Sequence, residues 1–148
     1  VQGAALGGGT GLVANAHIVI AAPGARFGLT EIRIGLWPVL IMRAVALAVG
    51  ERRATELSLT GRTFDAEEAW GYGLVTEVAD DPLERASAIA QAVSRQSAVA
   101  MSAGLDYIRA IRREGWEKAG AAGRELRLQL MAGADFKARA TAFLTREK

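Results

Sequence analysis

Leu6-Gly7-Gly8-Gly9-Thr10-Gly11-Leu12-Val13-Ala14-Asn15, answered further on by Phe27-Gly28-Leu29-Thr30-Glu31-Ile32-Arg33-Ile34-Gly35, decides how the rest of the chain is read. Three adjacent glycines remove every Cβ from a turn, so the backbone can approach a ligand closely and offer N–H groups to it. Glu31 is a lone acid in an apolar, glycine-punctuated stretch, and such an acid needs a reason. A carboxylate returned to those N–H groups would complete a site in which one element holds a negative oxygen and the other moves a proton.

Working outward, residues 1–6 form a short strand of small residues leading into the glycine turn, and residues 12–16 a buried helix that depends on packing. The β-branched run 18–22 is continuously apolar, so it reads as a strand covered on both faces, ended by the Pro23-Gly24 turn. Residues 26–29 form another short strand. Gly35 and Pro38 interrupt the next segment; residues 40–49 then form a mostly buried helix stopped by Gly50, and residues 51–59 a second helix with Gly61 past its end. Asp65 is placed to cap a helix over 66–72, with Glu68 three residues on to complete a capping box. Residues 74–78 form a strand, and Asp80-Asp81-Pro82 marks a helix start. Beyond it, apolar stripes at three- and four-residue spacing predict helices over 83–94, 98–112, 117–131 and 135–146. The fold class is α/β.

With 148 residues, 51% of them hydrophobic and 23% charged, the chain suits one globular domain with a real core. Its 18 basic and 16 acidic residues are interspersed and leave a formal charge of +2, which argues for solvated helix faces and against a nucleic-acid partner. The absence of cysteine excludes a disulfide frame, a thiol nucleophile and a thiolate metal site, and fits a cytoplasmic location. His17 is the only histidine and reads as a core or edge residue; no metal site of the usual kind is expected. The apolar run 36–49 carries Pro38 and Arg43 and falls short of the roughly 18 uninterrupted residues a membrane span needs. Val1-Gln2-Gly3-Ala4-Ala5-Leu6 reads as an element already under way, so a preceding segment is expected.

The glycine block, Phe27-Gly28-Leu29-Thr30-Glu31, Gly35-Leu36-Trp37-Pro38, Leu59-Thr60-Gly61-Arg62, Ala66-Glu67-Glu68-Ala69 and Gly73-Leu74-Val75 occur in one order that resembles the crotonase superfamily, the enoyl-CoA hydratase and isomerase family. The resemblance implies the later part of a crotonase-type ββα spiral core over residues 1–80. It also implies a C-terminal helical region over 81–148 that closes the pocket and makes a homo-oligomer, a trimer or a hexamer built as a pair of trimers. The implied substrate is an acyl-CoA thioester, with no cofactor, coenzyme A being part of the substrate. The Gly8 N–H is then one oxyanion donor, the other lying upstream of Val1, and Glu31 the proton carrier. Leu6, Gly7, Trp37 and Pro38 would line the substrate. Phe143 would line the pocket and Arg146 reach a coenzyme A phosphate, which arginine holds at least as well as lysine.

The chain departs from the family pattern in three places. Gly11 stands where hydratases carry a first glutamate, His17 where an aspartate is usual, and Val39-Leu40-Ile41-Met42 where the loop is small and glycine-rich. A looser likeness to bacterial methylglutaconyl-CoA hydratase-type proteins favours hydration of an enoyl-CoA. Double-bond isomerisation by Glu31 alone is the alternative, and a non-catalytic acyl-CoA binding or assembly subunit a further one. A remote alternative comes from Gly9-Thr10-Gly11-Leu12-Val13-Ala14, which satisfies a dinucleotide-binding fingerprint with Glu31 near the distance of a ribose-binding acid. Its context fails, because Glu31 follows a Pro-Gly turn and a Gly-Leu-Thr step where a second strand should end.

Overall fold

Small and β-branched residues make five short strands in the first part of the chain, and glycines turn it between them. The computed structural model describes residues 1–114 and 116–146. In it β1 (Ala4–Leu6), β3 (Arg26–Gly28) and β4 (Thr63–Asp65) form one sheet with β3 in the middle, while β2 (Ile20–Ala21) pairs with β5 (Glu77–Val78). β1 runs parallel to β3 with Leu6 opposite Gly28, and β4 runs antiparallel with Phe64 opposite Phe27. The cross-strand phenylalanines are fully buried and stack at 5.8 Å, and Phe64 meets Tyr72 at 5.7 Å. Cross-strand aromatic pairs stabilise a sheet beyond their buried area, and here they pin the register that puts Gly28 beside Leu6.

β4 has no counterpart in the sequence expectations. Three residues between Gly61 and a helix cap are too few to show a period of two, and the strand exists because β3 offers it an edge. The strand expected over 74–78 shrinks to Glu77–Val78. Leu74 and Val75 instead bury themselves in the core while their N–H groups donate to the Ala69 carbonyl at 2.9 and 3.1 Å.

Helix α1 (Gly8–Asn15) starts four residues earlier than periodicity suggests, inside the glycines. Its first turn has poor intrinsic propensity, so packing forms it. α2 (Met42–Val49) packs on α1 and on α3 (Glu51–Thr60), but Val45 is its only fully buried residue, which corrects the expectation of a mostly buried helix. Gly61 ends α3 in the left-handed conformation at φ 58°, its N–H donating to Leu57 O at 3.0 Å. α4 (Ala66–Gly71) is capped by Asp65, whose carboxylate accepts from the Glu68 N–H at 2.9 Å. The reciprocal half of the capping box is missing. The Glu68 carboxylate turns instead to Arg62 and Tyr72.

The chain divides into two compact units, Val1–Ala90 and the part from Gln91 onward. The first holds the buried core, which includes Phe27, Leu29, Val45, Leu57 and Phe64. α5 (Pro82–Ser94) begins in that unit. The second holds α6 (Ala98–Glu114), α7 (Trp116–Ala132) and α8 (Ala134–Arg146), with α7 packed on both neighbours. Gly123 lets Tyr107 cross closely between α6 and α7, since a Cβ there would lie 2.6 Å from the tyrosine hydroxyl. No described residue of this unit is fully buried. A cavity of about 560 Å³ between its helices is walled by Val99, Leu126, Leu130 and Phe136.

Candidate active site

The site is built where β1 passes into α1. Gly7 takes φ 53° and ψ −120°, a conformation open in practice only to glycine, and its N–H donates to Gly28 O at 2.8 Å. α1 begins at once with Gly8, so the Gly8 N–H has no acceptor within its helix and carries the positive end of the helix dipole. A Cβ on Gly8 would meet nothing within 4 Å. Gly8 itself is exposed, so a ligand can come close to its backbone.

β3 ends at Gly28, where a side chain is excluded because its Cβ would lie 3.0 Å from Arg62 O. Leu29 is then fully buried, and the chain enters a 3₁₀ turn, Thr30–Ile34, with Glu31 in its first turn and Gly35 ending it at φ 76°. Besides the Gly35 N–H, which donates to Ile32 O at 3.1 Å, two further bonds hold this turn. The Leu36 N–H donates to Glu31 O at 3.1 Å, and Arg33 Nε donates to Gly61 O at 2.8 Å. The backbone of Glu31 is therefore fixed from both sides.

That fixed backbone lays the carboxylate against the glycine turn. A Cβ on Gly7 would lie 3.1 Å from Glu31 Oε1 and 3.8 Å from Oε2, so the missing side chain is what makes room for the acid. Oε2 is enclosed and makes no hydrogen bond with the described residues. Buried polar atoms are nearly always paired, and an unpaired carboxylate oxygen costs stability, a cost commonly found where the group has a catalytic role. Beside an unused N–H, the arrangement suits proton transfer next to an oxygen on which negative charge develops.

Position 11 has a physical reason to be glycine. A Cβ there would lie 2.2 Å from Ile41 Cγ2 and 2.6 Å from Ile41 Cβ. Ile41 fills the place a side chain on α1 would take, so Gly11 is matched to its neighbour across the α1–α2 contact. The other bulky members of that loop, Val39 and Leu40, point outward, Leu40 being 96% exposed.

The structure thus brings Gly7, Gly8 and Glu31 together, with Leu6 beside them at the end of β1, its Cδ2 3.4 Å from where a Gly28 Cβ would be. Trp37 is 38% exposed on the segment after the 3₁₀ turn. Pro38 is buried, and its carbonyl accepts from the Ile41 and Met42 N–H groups at 3.2 and 2.9 Å, so its visible role is to start α2. His17 is exposed at a bend. Phe143 lies on α8 in the second unit, 64% exposed, and the side chain of Arg146 lies outside the described residues. Glu31 sits on a 3₁₀ turn, not at a strand end, which removes the context a dinucleotide-binding acid needs. Among the described residues no cluster of three or more histidine, aspartate or glutamate side chains could hold a metal ion, and no helix is long and apolar enough to cross a membrane.

Sequence reasoning passed over Thr10. Its side chain is fully buried one turn into α1, and its hydroxyl lies 2.6 Å from Ala5 O, 3.0 Å from Gly28 O and 3.1 Å from Gly28 N. A signal was available. A β-branched polar residue between two glycines has neither propensity nor solvent to explain it.

Comparison with known proteins identifies the family. The family model described as enoyl-CoA hydratase/isomerase matches residues 1–148. The chain is 44% identical over 100 residues to a probable enoyl-CoA hydratase of Mycobacterium leprae, covering 66% of this chain and 39% of that protein. It is 35% identical over 160 residues to the mevalonyl-coenzyme A hydratase of Aspergillus fumigatus, covering 100% of this chain and 57% of that one. The crystal structure of a probable enoyl-CoA hydratase/isomerase from Mycobacterium abscessus superposes with a TM-score of 0.92 at 32% identity, covering 99% of this chain and 57% of the other. The chain therefore spans about half the length of the relatives it matches. With its strand order, its glycine turn and its matching sequence, the chain belongs to the enoyl-CoA hydratase/isomerase family.

Proposed function

We propose that this chain carries one half of an oxyanion hole and the proton-transferring acid of an acyl-CoA site, and that the reaction is hydration of an enoyl-CoA thioester. The Gly8 N–H polarises the thioester oxygen. Glu31 takes a proton from water as the water oxygen bonds to the β-carbon, the π electrons pass toward the thioester oxygen, and the same carboxyl returns the proton to the α-carbon. One oxyanion donor is worth about 3 to 4 kcal/mol in comparable sites. The observation that carries the reading is the Glu31 carboxylate set against Gly7 with Oε2 enclosed and unpaired. The hydratase names of relatives support the choice of reaction.

A second reading is favoured by Ile41 lying where a carboxylate at position 11 would be. With that side of the site apolar, one acid could move a proton from C2 to C4 of a 3-enoyl-CoA, shifting the double bond without adding water. Conversion of crotonyl-CoA or a branched enoyl-CoA with uptake of solvent oxygen supports hydration; conversion of a 3-enoyl-CoA without it supports isomerisation. In either case Glu31→Gln is expected to lower kcat on the order of 100- to 10,000-fold while acyl-CoA still binds. A binding-only protein would show no turnover to lose. We also propose self-association through the helical unit, which the uncovered apolar faces of α6–α8 support.

A further inference from the structure

Two polar side chains are fully buried in the first unit, Thr10 and Ser58. Ser58 is accounted for by its own helix, donating to Ala54 O at 2.8 Å. Thr10 leaves its helix and joins three elements at one atom. Its single hydroxyl proton has two acceptors in reach, Ala5 O at 2.6 Å and Gly28 O at 3.0 Å. Gly28 O already accepts the Gly7 N–H at 2.8 Å, so the shorter bond to Ala5 O takes the proton, and the hydroxyl oxygen accepts the Gly28 N–H at 3.1 Å.

These bonds sit between the two reacting groups. Thr10 is two residues beyond Gly8 on a helix, and Gly28 is three residues before Glu31 with fully buried Leu29 between them. Neither path has slack. Sliding α1 along β3 would move the Gly8 N–H relative to the Glu31 carboxylate, and the Thr10 hydroxyl is the side-chain bond that opposes the slide.

We propose that Thr10 is a positioning residue whose buried hydroxyl sets the separation of the Gly8 N–H from the Glu31 carboxylate. The inference rests on reading those two groups as the reacting ones. It is tested in the full chain with Thr10→Val, which keeps the shape and loses the hydroxyl, and Thr10→Ser, which keeps the hydroxyl. Per folded molecule, Thr10→Val is expected to lower kcat about 10- to 100-fold with KM within about threefold of wild type, and Thr10→Ser to restore most of it. A second readout needs no turnover. With ¹³C-carboxyl-labelled glutamate, the Glu31 resonance, assigned by its loss in Glu31→Gln, should move in Thr10→Val and stay in place in Thr10→Ser.

A merely structural threonine would lower stability and leave both readouts alone, and that result overturns the proposal. Equal loss in the two variants overturns it too. If Thr10→Val does not fold, Thr10→Ala takes its place against Thr10→Ser with the same expectations. Should the wild type convert no enoyl-CoA, the catalytic reading fails while the carboxyl resonance still decides whether Thr10 places Glu31.

Discussion

A glutamate at position 11 would have to displace Ile41 before it could do any chemistry. Its Cβ would sit 2.2 Å from Ile41 Cγ2, closer than non-bonded carbons come, and overpacking of this kind typically costs about 1 to 3 kcal/mol. Gly11→Glu alone should therefore destabilise the protein and add no activity. Ile41→Ala would not relieve it, because the alanine Cβ stays 2.6 Å away, so the compensating change is Ile41→Gly. The double variant should recover stability relative to the sum of the single ones, a coupling on the order of 1 to 3 kcal/mol by denaturant unfolding. Additive losses would mean that Ile41 does not fill the place of a side chain at 11. Under the isomerase reading the double variant should also gain hydration activity that neither single variant has. The pairing was invisible in the sequence because its members lie thirty positions apart. The return of Glu31 to the glycine turn was legible because the residues that set it lie close to it in the sequence, whereas the packing that suits glycine at position 11 shows only with Ile41 beside it.

At the scale of elements, Arg62 ties α3 and α4 to the strand between them. Its guanidinium donates to Glu56 and Glu68 at 2.9 Å each and to the Tyr72 hydroxyl at 3.0 Å, and the same hydroxyl donates to Glu68 at 2.7 Å. The bond from Arg62 holds the Glu56 carboxyl below the usual carboxylate range, and the Tyr72 hydroxyl followed by Arg62 does the same for Glu68. Both groups have lower pKa values folded than unfolded. Their contribution is thus fully present above the ordinary carboxylate value and is lost as pH falls through the depressed folded values. Arg62→Met should lower stability at neutral pH on the order of 1 kcal/mol, a modest figure because these side chains are about a third exposed and screened. The gap between wild type and variant should close as the solution is acidified below the carboxylate range, followed by denaturant midpoints across pH. A gap independent of pH would remove the carboxylates from the account. Here, too, legibility was uneven. Asp65 and the spacing to Glu68 announced a capping box, but the arginine that claims the Glu68 carboxylate belongs to the preceding turn. Long helices announced themselves by period, while β4, three residues long, needed β3 to exist.

The whole molecule distributes its burial unequally between its two units. Every fully buried side chain among the described residues lies within residues 1–82, while α6, α7 and α8 pack on one another with Val99, Leu128, Phe143 and Leu144 more than half exposed. Opening free energies follow buried apolar contact, so the helical unit should open first. Amide hydrogen exchange on dilute protein is expected to show slow exchange in β1, β3 and α3 and faster exchange throughout α6–α8. Self-association would change only the second group, because burying apolar faces against another copy stabilises what is buried, by mass action. Protection in α6–α8 should then rise with protein concentration while that of the β3 core stays constant. Constant protection in both would mean that the helical faces are not covered by other copies, and uniformly slow exchange at all concentrations that the second unit is stabilised from within the chain.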